Sequence, residues 1–127
     1  AFPAVERSLL IFGAGYGFSA LSDAHWLHAC QIHYWGDIDT HGFAILDELR
    51  NHFPHVESLL MDRPTLLSSQ ELWGEETTPI NRDLPRLTQD EQSLYNDLRD
   101  QQLGKNLRLE QERIAFHFLE SALANLP

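Results

Sequence analysis

The stretch that most narrows the fold is Ile32-His33-Tyr34-Trp35, which runs through Gly36 and Gly42 into Phe43-Ala44-Ile45-Leu46-Asp47-Glu48-Leu49-Arg50. The first four residues are β-formers. The last eight place Phe43, Leu46 and Leu49 on one helical stripe. A strand, a glycine turn and a helix follow from that order. The same alternation is expected upstream. There Ser8-Leu9-Leu10-Ile11-Phe12 reads as a buried strand ending in the turn Gly13-Ala14-Gly15-Tyr16-Gly17, and residues 20–30 carry apolar side chains at helical spacing. A third strand is expected at Val56-Glu57-Ser58-Leu59-Leu60-Met61, closed by Asp62-Arg63-Pro64. Short apolar strands alternating with helices are the pattern of βαβ units, so the fold class is α/β with a parallel sheet flanked by helices.

Beyond Pro64 a helix is expected over residues 66–73 and a surface loop over 74–87, where acids, turn residues and two prolines gather. Thr88-Gln89-Asp90-Glu91 is a capping box that starts a helix reaching to about residue 102. A last helix is expected from about residue 109 to 126. The whole chain of 127 residues is the size of one domain. It begins Ala1-Phe2-Pro3-Ala4 without a methionine, the pattern of a piece of a longer protein.

Cys30 has no second cysteine to pair with, and no apolar run approaches the length of a membrane span, so a reducing, cytoplasmic setting is expected. The net charge of −10, with Lys105 the one lysine, argues against a nucleic-acid partner, because affinity for phosphates comes from Lys and Arg. Any such partner must be argued from a site.

Asp37 and Asp39 provide one. They fall where the second strand ends, and residues two apart in extended chain point to one side. Ligands of open α/β sheets collect at the carboxyl ends of strands. Magnesium takes one or two protein carboxylates and completes its shell with water and phosphate oxygens, which suits an Asp-x-Asp pair. The competing account is a solvated turn with a helix cap. Asp62 and Arg63 end the next strand and could meet a phosphate at the same edge, although Asp62 also has the form of an N-cap before Pro64. His41 lies near enough for phosphate contact or proton transfer. Glu110 and Glu112, at the head of the last expected helix, are further candidate metal ligands against a dipole-favoured placement. His25 and His28 lack a third partner for a zinc site. The glycine run at 13–17 has neither the dinucleotide-binding spacing nor a P-loop lysine.

Three segments together carry a resemblance: Tyr-Trp-Gly-Asp-Ile-Asp-Thr-His-Gly-Phe-Ala-Ile-Leu at 34–46, Leu-Leu-Met-Asp-Arg at 59–63 and Arg-Leu-Glu-Gln-Glu-Arg-Ile at 108–114. They resemble the C-terminal domain of JetD, a subunit of Wadjet bacterial defence systems, over nearly the whole chain. The resemblance implies a Toprim fold related to the A subunit of type IIB topoisomerases, with Asp37 and Asp39 matching the Toprim Asp-x-Asp motif. It implies a DNA endonuclease dependent on Mg²⁺ or Mn²⁺, acting as a homodimer beside an SMC-like ATPase complex that excludes plasmids. Toprim enzymes also carry a glutamate after their first strand. That strand is expected to precede Ala1, which would leave this chain catalytically incomplete, and Glu6 does not replace it. The family's upstream region, of winged-helix character, is expected to supply much of the DNA contact. A Toprim-like module that only docks a partner or dimerises is the alternative. A phosphoacceptor domain is a more distant one, since Lys105 stands before a helix rather than after a late strand.

Overall fold

The computed structural model describes residues 2–11 and 21–126. Its order is a 3-10 segment His25–Ala29, then β1 (His33–Tyr34), α1 (Thr40–His52), β2 (Glu57–Ser58) and α2 (Arg63–Ser68). After these come a 3-10 segment Gln70–Leu72, β3 (Gly74–Glu75), α3 (Gln89–Arg99), β4 (Leu107–Arg108), a 3-10 segment Gln111–Arg113 and α4 (Phe116–Ala124). The chain is α/β, as the sequence predicts. No helix among the described residues is long and apolar enough to cross a membrane.

β1 and β2 pair in parallel, His33 against Glu57 and Tyr34 against Ser58, with α1 as their connection. This is the unit announced by residues 32–50. α1 starts at Asp39, whose carboxylate accepts the Gly42 N–H at 2.6 Å. It buries Phe43, Ala44, Leu46 and Leu49. α3 packs against α1, with the Tyr95 and Phe43 rings edge to face at 6.3 Å. Thr88 and Glu91 form the expected capping box at its head. Around this pair Ile38, Phe53, Met61, Leu66, Leu84, Leu94, Leu98, Leu107 and Leu109 make one continuous core.

A buried ion pair fixes α1 to α3. Arg50 reaches both oxygens of Glu91 and also donates to the carbonyls of Val56 and Arg86, while Glu91 accepts from Ser58 and the Thr88 N–H. Every polar atom of the pair thereby has a partner, the condition under which charges tolerate burial. Burial alone would raise the Glu91 carboxyl, but the Arg50, Ser58 and Thr88 hydrogen bonds outweigh it and hold it below its ordinary 4.5.

Several expectations are corrected. Residues 8–11 form no strand and stay exposed, Leu9 to 69%. The glycine turn at 13–17 lies outside the described residues. The segment before β1 is a short 3-10 turn rather than a regular helix. The strands do not form one parallel sheet: only β1 and β2 pair in parallel, and β3 and β4 form a second two-stranded sheet, antiparallel, with Gly74 against Arg108 and Glu75 against Leu107. The final helix is shorter than the expected one. It starts at Phe116, and residues 107–113 instead form β4 and a 3-10 turn. Helix-forming residues there are overridden by pairing, which is the usual limit of local propensity.

Candidate functional site

The site is organised by β4. On one side β4 pairs with β3, a ladder extended by the Glu76 N–H donating to the Asn106 carbonyl at 2.7 Å. On the other side Leu109 and Ile38 exchange both backbone hydrogen bonds in an antiparallel bridge, at 2.9 and 3.0 Å. Ile38 and Leu109 are fully buried and point to the core. Side chains alternate along extended chain, so Asp37, Asp39, Arg108 and Glu110 turn to the opposite face. Asn106, at φ 48°, makes the turn into β4, a left-handed position that asparagine tolerates.

On that face Asp37 is held twice. Its Oδ1 accepts the Gln111 N–H at 2.9 Å, and its Oδ2 accepts Arg108 Nη2 at 2.8 Å. Asp39 is more deeply buried. Its Oδ1 caps α1 through Gly42, and its Oδ2 lies 3.4 Å from Arg108 Nε. That last contact is an ion pair without hydrogen-bond geometry, and Arg108 Nε is buried with no hydrogen-bond partner. Gly42 is required at the turn, because a Cβ there would overlap the Asp37 carbonyl oxygen.

A third carboxylate lies near enough for its charge to act on Asp39. Glu76, only 5% exposed, accepts from the Thr40 N–H at 3.1 Å and from the Thr40 hydroxyl at 2.9 Å. The same hydroxyl accepts from the Ile80 N–H, which ties the 76–80 loop to the head of α1. Burial, then the charges of Glu76 and Asp37, push the Asp39 carboxyl up to about 6, against the opposing Gly42 hydrogen bond and Arg108 charge. Asp37's hydrogen bond, with the charges of Asp37, Asp39 and Glu110, holds Arg108 more firmly protonated than an ordinary guanidinium despite some burial. The charges of Asp37, Asp39 and Glu110 act on one guanidinium and that of Glu76 on Asp39, so the site is short of positive charge.

The structure therefore brings Asp37 and Asp39 together and sets Glu110 beside them on the same face. Glu112 lies exposed in the following 3-10 turn. His41 contacts the Thr78 carbonyl through Nε2. Asp62 and Arg63 are engaged away from the acidic pair. Asp62 caps α2 through the Thr65 N–H at 2.8 Å, and Arg63 pairs with Asp97 at 2.8 Å on α3. Sequence reading missed Glu76 and Arg108. Arg108 stands within a segment that carried the family resemblance, which was its one signal; Glu76 sits in an acidic, turn-rich stretch with none.

Among the described residues no three His, Cys, Asp or Glu side chains converge closely enough to hold a metal unaided. Two carboxylates, with water and phosphate oxygens completing the shell, are nonetheless the donor set magnesium takes, and the excess negative charge suits a dication. A family model described as Wadjet protein JetD, C-terminal, matches residues 1–123. No curated protein matches the sequence.

Proposed function

Because the chain belongs to the family of Wadjet JetD C-terminal domains, we propose that it is the Toprim-like part of a DNA endonuclease, with Asp37 and Asp39 holding Mg²⁺ or Mn²⁺. The carrying observation is that both carboxylates meet on one face between β1 and α1, in a cluster with more negative than positive charge. The parallel β1–α1–β2 unit with an Asp-x-Asp pair following its first strand supports the Toprim comparison.

When bound, the cation would polarise a phosphoryl oxygen and offset charge on the leaving oxygen. The chain's own residues orient its ligands. The Gln111 N–H aims Asp37, the Gly42 N–H aims Asp39, and Glu76 fixes Thr40 between them and the 76–80 loop. Arg108 and His41 are the groups of this region suited to contacting a phosphate. The substrate is double-stranded DNA, including plasmids, and the partners are the other subunits of the defence system, an SMC-like ATPase complex among them, with a second copy of the protein.

Asp37→Asn and Asp39→Asn in the natural full-length protein are expected to lower Mg²⁺-dependent plasmid cleavage by about 10²-fold or more, the several kcal/mol a held cation supplies. Unchanged cleavage by a folded Asp37→Asn protein would remove the proposal. The competing reading is a docking or dimerisation module whose acidic pair is structural. It is favoured by the hydrogen bonds that already occupy Asp37 and cap α1 with Asp39. Calorimetry with Mn²⁺ separates the two, since a module of that kind takes up no cation at these residues.

A further inference from the structure

Arg108 occupies the space that a cation shared by Asp37 and Asp39 would need. Its Nη2 is 2.8 Å from Asp37 Oδ2 and its Nε 3.4 Å from Asp39 Oδ2. Magnesium bonds carboxylate oxygens at about 2.0–2.1 Å, so an ion on both oxygens would crowd a guanidinium of the same sign. The contact with Asp39 is also incomplete, because the buried Nε makes no hydrogen bond. One fork of the side chain is thus committed to Asp37, while the donor facing Asp39 has no acceptor.

The backbone of Arg108 is fixed. It pairs with Gly74 in the β3–β4 ladder, and the next residue, Leu109, is bridged to Ile38. Any movement belongs to the side chain, which is 37% exposed and so has a way out to solvent. A guanidinium leaving a carboxylate keeps five donors in a planar fork that matches the oxygens of a phosphate.

Resting on the reading of Asp37 and Asp39 as metal ligands, we propose that Arg108 is a positioning residue that holds the acidic pair as its counter-cation, competes with the divalent ion for the facing oxygens, and is released to a substrate phosphate on loading. Cation and DNA then bind cooperatively. Taking Arg108 onto a phosphate frees the carboxylates, and by linkage each ligand tightens the other by the same factor.

The test is calorimetric titration of Mn²⁺ into the natural full-length protein, with and without a short phosphorothioate duplex. Wild type, Arg108→Gln and Arg108→Lys are compared, and thermal melting checks that each is folded. Without DNA, the Gln variant is expected to bind Mn²⁺ about tenfold or more tightly than wild type, from removal of a nearby like charge. The Lys variant, which keeps that charge, is expected to stay close to wild type. The duplex is expected to tighten Mn²⁺ binding in wild type by a larger factor than in the Gln variant. Equal Mn²⁺ affinity of wild type and Gln without DNA overturns the role of Arg108 and leaves the metal site standing. Mn²⁺ binding that is unaffected by Asp37→Asn and Asp39→Asn overturns the metal site itself, and this proposal with it. Should the Gln protein not fold, absence of any duplex effect in wild type overturns the proposal without a variant.

Discussion

At Asp39 two requirements meet. The head of α1 needs a carboxylate or similar acceptor for the Gly42 N–H, and the charges of Asp37 and Glu76 already lie beside it. An ionised Asp39 satisfies the first and is disfavoured by the second, so its carboxyl titrates at about 6 instead of 3.8. The sign follows directly. The folded protein binds the extra proton more tightly than the unfolded chain does, so folding is unpenalised below about pH 4, and the penalty grows as pH rises through about 6. The full difference is about 3 kcal/mol, since each tenfold change in proton affinity is worth about 1.4 kcal/mol. Asparagine keeps the capping oxygen and loses the charge. Urea titrations in EDTA should therefore show Asp39→Asn gaining stability over wild type between pH 4 and 6, with no further gain above; a difference independent of pH would refute this account.

The elements were legible in the sequence in proportion to how locally their causes lie. α1 follows from a β-rich run, a glycine turn and one apolar stripe, all within about twenty residues. The head of α3 follows from Thr88 and Glu91, whose reciprocal hydrogen bonds are both made. β4 was hidden, because Arg, Leu, Glu and Gln are good helix formers and the residue that Leu109 pairs with is Ile38, far back in the chain. Glu76 was hidden for the same reason: nothing near it in the sequence says that Thr40 will bury it. The apolar run at 8–11 misled in the opposite direction, since its pattern is that of a buried strand and its residues are exposed. The attachment of α3 to α1 gives a prediction at this scale. Glu91→Ala leaves Arg50 buried and uncompensated, and should cost about 3–5 kcal/mol, read as a shift in the denaturation midpoint. Glu91 acts with the opposite sign to Asp39. Its contribution is present above the ordinary 4.5 and is lost as pH falls through its lower folded value.

Over the whole molecule, charge is the dominant fact. The chain carries −10, and most of its cations are already spent within the fold: Arg50, Arg63, Arg86, Arg99, Arg108 and Arg113 all lie in ion pairs. DNA affinity of this chain alone should accordingly be weak and shallow in salt, with a slope of log K against log salt of about −3 or flatter, since few phosphates can be neutralised. Fluorescence anisotropy across a salt series measures it, and a slope near that of a basic DNA-binding domain would contradict this charge distribution. The placement of Asp37's partners also sets an order of events during synthesis. Chains emerge N-terminus first, at about 5–20 residues per second. β1, α1 and β2 can close, and Asp39 can cap its helix, on the first half of the chain alone. Arg108 and Gln111 come 71 and 74 residues after Asp37, so on the ribosome the acidic pair goes without its counter-cation and its aiming N–H until almost the last of these 127 residues has been made.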